Sequence, residues 1–190
     1  MTAPDKSLLE RVAHGISRPS GAAPSGVNAS ILTQAAKSYG ARPIFDEATV
    51  PTGFDPAAAA LFEATIEAAF LVANSDGVFD DEERAAFESV VTTACNGQVQ
   101  PTQLSALLAD LREQLSDDGI EKRARMVART ITRRDHQFEV LRIAALMAHI
   151  SGGVSDPERD VLEHLARGFD LDADAVERAL TEAQAVLKAS

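Results

Sequence analysis

Five carboxylates fall within the ten residues from position 74 to 83, where the chain reads NSDGVFDDEE. Hard cations such as Ca²⁺ and Mg²⁺ bind several oxygen ligands, which one acidic loop can supply. The stretch therefore predicts a divalent-cation site with Asp76, Asp80, Glu83 and Asn74 as ligands. If Gly77 is placed sixth in an EF-hand loop, these four residues occupy ligand positions. The first position then falls on Val72, whose side chain has no oxygen, so the EF-hand pattern is broken.

The same acids also have a structural interpretation as the start of a helix. Asp80 and Glu83 are spaced as a capping box, in which the Asp side chain accepts a first-turn amide and the Glu side chain accepts the cap amide. Asp81 and Glu82 are then favoured by the helix dipole. Asp76 precedes the cap by four positions and has no part in the box. Asp76 is therefore the residue that distinguishes a cation site from a helix start.

The elements that must position this stretch are helices. Ala, Leu, Glu and Arg recur at helical spacing, whereas period-two alternation is rare, so we expect an all-α fold. Caps and helix breakers predict helices over 5–16, from a cap at Asn28 to Gly40, over 55–75 and over 80–95. Further helices are predicted from Pro101, from SDDG at 116–119 through Thr132, from Asp135 to 150, from Ser155 to Gly168, and from Asp172 onward.

The acidic stretch recurs in the second half of the chain. A shift of 75 residues places LVANSDGVFDDEERAAFESV, from Leu71, over LMAHISGGVSDPERDVLEHL, from Leu146. Gly77 falls on Gly152, and Ser155 and Glu158 fall on the capping-box positions. With an adjustment of two to three residues, Leu108 also falls on Leu180. We expect two three-helix repeats related by a pseudo-twofold axis and joined by the basic helix, because neither repeat can bury its apolar face alone.

The boundaries follow from this pattern. Residues 55–190 are predicted to form the helical domain, and residues 1–54 an N-terminal extension that is only partly helical. The sequence SRPSGAAPSGV after the first helix is typical of a flexible linker. The first helix has two interpretations, a tethered segment that binds a partner or a helix that folds back on the domain.

The block VANSDGVFDDEE and its copy HISGGVSDPE resemble the tellurite-resistance TerB-like family, over roughly residues 55 to 188. Its signature is a helix ending in Ala-Asp-Gly, then a hydrophobic residue, a Ser or Asp cap, and a Glu. The resemblance implies an all-helical stress-response protein that binds a divalent cation through these loops. Another branch of the family carries a J-domain, but no His-Pro-Asp tripeptide occurs here. Ser75 replaces the usual Ala, and Ser151 replaces the Asp of the second loop, which leaves one expected site, in the first half.

Composition excludes several function classes. A net charge of −11 disfavours binding to nucleic-acid phosphates, and the acids interrupting the apolar stretch from residue 57 to 73 disfavour membrane insertion. The N-terminus lacks a continuous apolar signal segment, and Cys95 is the single cysteine, so we expect a cytoplasmic protein. His14, His136, His149 and His164 have no zinc spacing, although His149 lies near the second loop. Recognisable catalytic motifs are lacking, so we expect no enzyme activity.

Six of the 18 Lys and Arg residues lie in the helix EKRARMVARTITRR. Lys122, Arg125, Arg129 and Arg133 share one face, which is either a solvated face or a dock for an acidic partner. Two functions remain open. The first is a non-enzymatic stress-response module that binds Ca²⁺ or Mg²⁺ at the acidic loop, a protein partner, or both. The second is a structural protein–protein adaptor without metal.

Overall fold

The computed structural model describes residues 5–21, 26–42, 53–151 and 153–188, without the side chain of Ser151. All regular elements in these ranges are helices, which confirms the all-α prediction. The nine α-helices are α1 Lys6–Ser17, α2 Ile31–Gly40, α3 Pro56–Ala73, α4 Asp81–Ala94, α5 Pro101–Asp118, α6 Ile120–Thr130, α7 Arg134–Ala148, α8 Asp156–Gly168 and α9 Ala175–Lys188. A 3₁₀ turn, His149–Ser151, follows α7.

Most helix starts follow from their caps. Asp55 accepts the amides of Ala57 and Ala58 ahead of α3, with Pro56 in the first turn. The prediction that Asn28 caps α2 was wrong, because Ser30 is the cap and its hydroxyl accepts the Thr33 amide at 3.2 Å. The predicted start of α7 at Asp135 was one residue late. The helix begins at Arg134, so Asp135 lies inside its first turn, where it pairs with Arg133.

Helices α3 and α7 are central and pack against each other. Helix α3 is buried almost all round from Ala64 to Val72, and α7 is buried from Glu139 to Ala148, which explains why these stretches are mostly apolar. Helix α3 has a mean hydropathy of 1.5 over 18 residues, and it is the one helix in the described ranges that is long and apolar enough to cross a membrane. In the structure 61% of that window is buried inside the protein, and the buried core helix of a soluble protein passes the same test.

Helices α1 and α6 occupy similar surroundings. Helix α6 packs against α3, α5 and α8, while α1 packs against α7, α9 and α4. The 75-residue shift relates α3 to α7 and α4 to α8, and α5 corresponds to α9. The three neighbours of α1, which are α7, α9 and α4, are therefore the counterparts of the three neighbours of α6, which are α3, α5 and α8.

The N-terminal helices are docked onto the domain, as in the fold-back interpretation of the first helix. Val12 and Ile16 of α1 are completely buried in the same core as α3 and α7. A Cβ at Gly15 would lie 2.7 Å from a methyl group of Val186 and 3.2 Å from those of Leu146, so any other residue here would force these side chains to move. Both predicted helices of the segment 1–54 thus contribute to one core with the helices that follow.

Two buried charges on α7 hold the ends of α1 and α2. The Arg142 guanidinium donates to the carbonyl oxygens of Gly15 at 3.2 Å and Arg18 at 2.5 Å, at the C-terminal end of α1. The Glu139 carboxylate accepts the amide of Ile31 at 2.8 Å, at the N-terminal end of α2. Each charge has the sign that the adjacent helix dipole favours. The linker between α1 and α2 is therefore held at both ends.

The basic helix α6 is amphipathic, as predicted. Ala124 and Val127 are buried, and Lys122, Arg125 and Arg129 are exposed. The predicted helix was too long, because α6 ends at Thr130. The exposed Arg133 therefore lies outside α6, at the start of α7, where it pairs with Asp135. The helix also carries a buried charge that the pattern does not reveal. The Arg123 guanidinium, with a side chain 8% exposed, donates to Glu67 of α3 at 2.6 Å and to Asp118 at 3.2 Å. This ion pair ties α6 to the central helix α3.

Candidate functional site

The acidic loop between α3 and α4 is fixed by its backbone and by one aromatic side chain. Asn74 ends α3, and its amide donates to the carbonyl oxygens of Phe70 and Val72. Gly77 has φ +79°, which favours glycine, and its amide donates to the Asn74 carbonyl at 3.1 Å. Phe79 is buried and contacts the rings of Phe70 and Phe87 edge-on at 5.4 and 5.9 Å. The loop is therefore a rigid turn with an apolar anchor.

Every loop carboxylate predicted as a ligand also makes a local hydrogen bond. Asp80 accepts the amides of Glu82 and Glu83, both at 2.9 Å, and Glu83 accepts the Asp80 amide at 3.1 Å, which confirms the capping box. Asp76 accepts the Val78 amide at 2.9 Å, which forms an Asx turn. The structural interpretation thus extends to Asp76, the residue that it had left unexplained.

The second loop forms the matching helix start. Ser155 accepts the Glu158 amide at 3.4 Å, and Glu158 accepts the Ser155 amide at 2.7 Å, so the second predicted capping box is also confirmed. In the 3₁₀ turn, a ring nitrogen of His149 lies 2.8 Å from the Ala145 carbonyl oxygen. The histidine near this loop is thus bonded to its own helix.

The two capping-box glutamates line one narrow cleft between the halves. Glu83 and Glu158 lie there with Ala73, Phe79, Phe87, Met147 and Ile150, around a cavity of about 20 Å³. Burial raises the pKa of Glu83, and the charges of Asp80, Asp76 and Glu158 raise it further, against the opposing effect of the hydrogen bond from the Asp80 amide. Sequence reasoning matched Glu158 to Glu83 as a second cap, yet it did not place the two side chains in one cleft. Only the packing of the halves brings them together.

The donor set of the loop suits a hard cation, and its carboxylates already take part in local hydrogen bonds. One oxygen of each of Asp76, Asp80 and Glu83 is bonded to a backbone amide. In the described part of the chain, no three His, Cys, Asp or Glu side chains are grouped so that they could hold a metal ion. A cation that used both oxygens of Asp76 would compete with its bond to the Val78 amide.

A solvent-open groove lies beside the acidic loop, between α4 and α5. Its cavity has a volume of about 400 Å³ and an apolar floor that includes Phe70, Phe79 and Leu108. Arg84 and Arg112 line it as cations, and Arg112 donates to the Phe79 carbonyl oxygen at 3.2 Å. Val78, which precedes Phe79, is 58% exposed. In the described ranges, one other large apolar side chain is exposed, that of Met126 at 40%. We call this feature the α4–α5 groove.

A corresponding groove lies between α8 and α9. Its cavity has a volume of about 490 Å³ and is lined by Val154, Arg159, Leu180 and Gln184, among others. The 75-residue shift places Phe79 on Val154 and Arg84 on Arg159, and a shift of 72 places Leu108 on Leu180 and Arg112 on Gln184. Here Arg159 donates to Glu177, a residue of α9 that also lines the groove. We call this feature the α8–α9 groove.

A third cavity, of about 420 Å³, lies between α2, α7 and α9. Its arginines are already paired, Arg133 with Asp135 and both Arg134 and Arg178 with Asp172. The mixed and internally balanced charges favour no particular ligand.

Sequence reasoning missed the two grooves and the cations Arg84 and Arg112. The repeat alignment already places Arg84 opposite Arg159. A comparison of the residues on α5 with those on α9 could therefore have shown that the two arginines have different neighbours. The groove floor was not visible from sequence, because Phe79 and Leu108 are also ordinary core residues. No protein-family model, curated protein or solved structure matches this chain.

Proposed function

We propose that this chain is a non-enzymatic, cytoplasmic stress-response module of the TerB-like kind that acts by binding a protein partner. The α4–α5 groove carries the proposal. It has a preformed apolar floor, it is open to solvent, and the exposed Val78 lies at the adjoining loop. Grooves of this kind accept the apolar face of a helix or an extended segment. The loop carboxylates then serve to start α4 and to hold the turn beside the groove.

The TerB-like, two-repeat arrangement is part of this proposal. Two capping boxes at matching positions and two grooves in corresponding places support it. The matching surroundings of α1 and α6 support a longer unit than the sequence suggested. We assign α1, α3, α4 and α5 to the first repeat and α6, α7, α8 and α9 to the second, with α2 inserted between α1 and α3. Helix α6 is then the first helix of its repeat as well as a connector.

Affinity purification with a groove-filling variant tests the protein-binding function. Ala109 lies on the exposed side of α5 in the groove, whereas Ala106 is exposed on the same helix and is not among the groove residues. Tagged wild type, Ala109→Trp and Ala106→Trp are compared in cells of the source organism by quantitative mass spectrometry. We expect a defined set of proteins to be retained by wild type and Ala106→Trp and lost with Ala109→Trp. Retention of the same set by all three proteins would contradict the proposal.

A second candidate function is divalent-cation binding at the acidic loop, by Ca²⁺ or Mg²⁺ with Asp76, Asp80, Glu83 and Asn74. The observation that favours it is that Glu83 shares a narrow cleft with Glu158, where burial and, to a smaller extent, the charges of Asp80, Asp76 and Glu158 raise its pKa. A cation would relieve this repulsion.

A calcium titration followed by NMR tests the cation candidate. Amide shifts confined to residues 72–84 and to the neighbourhood of Glu158, and abolished by Asp76→Ala, would support it. Asp81→Ala is the matched control, because Asp81 is an acid of the same stretch whose side chain is 95% exposed and pairs with the neighbouring Arg84. The absence of shifts at millimolar Ca²⁺ and, in a parallel titration, at millimolar Mg²⁺ would exclude this function.

A further inference from the structure

We propose that the α4–α5 groove binds an acidic amphipathic segment of a partner protein. A carboxylate of that segment pairs with Arg84 and Arg112, and an apolar side chain packs on Phe79 and Leu108. This inference rests on the proposed function, because it takes protein binding as given and names the chemistry of the partner.

A difference between the two grooves carries the inference. In the α8–α9 groove, Arg159 is bonded to Glu177 of α9. The position on α5 that corresponds to Glu177 is Ser105, which cannot neutralise a cation and instead donates to Glu88 at 2.9 Å. The α4–α5 groove therefore has the arginine without the acid that faces it in the other half.

The ion pair that Arg84 forms within the chain is weak. Arg84 pairs at 3.0 Å with Asp81, three residues earlier, whose side chain is 95% exposed. Such exposed surface pairs contribute little to stability, so a partner carboxylate that is partly desolvated in the groove can compete for the guanidinium.

Arg112 is a second cation that distinguishes the α4–α5 groove from the α8–α9 groove. Arg112 lies where the α8–α9 groove has the neutral Gln184. Its guanidinium donates to the Phe79 carbonyl oxygen, and no carboxylate in the described ranges lies within the 4.0 Å that defines an ion pair with it. Two guanidinium groups on one groove favour a carboxylate ligand, which each can bind through parallel N–H donors.

The remaining charges give the bound segment a direction. Glu113 and Asp117 line the groove toward the C-terminal end of α5, while Ser105 lies near the N-terminal end. Ser105 and Asp117 are separated by about 18 Å at 1.5 Å per residue. Arg112 lies between them, seven residues after Ser105 and five before Asp117. The carboxylate of the segment therefore lies along this stretch, and the part of the segment near Glu113 and Asp117 is neutral or basic.

Peptide display followed by fluorescence anisotropy tests the inference. Random 15-residue peptides are selected on the 190-residue protein, and the most enriched peptide is synthesised with a fluorescent label. We expect enriched peptides to combine Leu or Phe at helical spacing with Asp or Glu toward one end. Enrichment of basic peptides, or no enrichment, would overturn the inference.

The variants exploit the difference between the halves. Ser105→Glu supplies the acid that the other half already contains, and we expect it to weaken binding of the labelled peptide at least tenfold. Ser105→Gln has nearly the same size without the charge and should bind within about twofold of wild type. Arg84→Glu should also weaken binding at least tenfold, whereas Arg159→Glu, in the α8–α9 groove, should not. Thermal unfolding of each variant confirms that these surface substitutions leave the fold intact.

The outcomes separate this inference from the proposed function. If Ser105→Glu binds like wild type while Ala109→Trp still loses its cellular partners, the acidic chemistry is wrong and protein binding at the groove stands. If Ala109→Trp and wild type retain the same partners, the proposed function itself fails.

Discussion

Replacement of Arg142 by Met should destabilise the protein by about 3 kcal/mol. The substitution keeps an apolar side chain of similar length but leaves the carbonyl oxygens of Gly15 and Arg18 without their charged donor. Hydrogen bonds to charged groups contribute about 1.5–3 kcal/mol each, and relief of the buried guanidinium's desolvation offsets part of the two losses. For a chain of this size, the melting temperature should fall by about 6–12 °C.

Urea denaturation followed by circular dichroism measures this loss, and hydrogen exchange locates it. We expect the amides of α1 to exchange faster in Arg142→Met than those of α3, because Arg142 holds the C-terminal end of α1. Arg125→Met is the matched control, since the Arg125 side chain is 60% exposed and its pair with Glu121 is long, at 3.9 Å, so its loss should cost less than about 0.5 kcal/mol. A loss below 1 kcal/mol for Arg142→Met, or unchanged exchange in α1, would refute the view that this buried cation docks the N-terminal helix.

Three further substitutions or titrations test the local physics. Asp80→Ala should destabilise the protein by about 1–2 kcal/mol, because two first-turn amides lose their acceptor, whereas Asp76→Ala removes one exposed bond and should cost less than about 1 kcal/mol in urea denaturation. Cys95 is completely buried and burial raises its pKa to about 12, so Ellman's reagent should react with it only after unfolding; reaction in native buffer would contradict this. Burial raises the pKa of Glu139 above its unfolded value, so its contribution to stability is present below about pH 4.5 and is lost as the pH rises through the folded pKa. Relative to Glu139→Gln, wild type should therefore lose stability above pH 4.5, and parallel stability–pH curves would contradict the shift.

Short-range signals explain what the sequence predicted well. Capping boxes and terminal Gly or Pro residues are local chemistry, so the starts of α3, α4 and α8 agree with prediction. The prediction of Asn28 as the cap of α2 was wrong, because two acceptable cap residues lie close together. The apolar face that begins at Ile31 selects Ser30. The hydrogen bond from the Val78 amide to Asp76 was not predicted, because it depends on the tight turn at Gly77.

Long-range partners explain what the sequence did not predict. Arg123 and Arg142 are spaced like ordinary helical arginines, and only the packing shows that Glu67 and the end of α1 receive them. The grooves were missed for the same reason, since their character depends on which residues of two helices face each other. The contrast between Ser105 and Glu177 was present in the sequence, but it acquires meaning only when Arg159 is seen to contact Glu177.

Site-specific photo-crosslinking tests the central claim, that a protein partner docks in the α4–α5 groove. Benzoylphenylalanine is placed at Ala109, within the groove, or at Ala106, on the same helix outside it. After irradiation of living cells, we predict a discrete crosslinked species from position 109 that is lost when Arg84→Glu is added, and none from position 106. Equal crosslinking from both positions, or none from either, would contradict the claim.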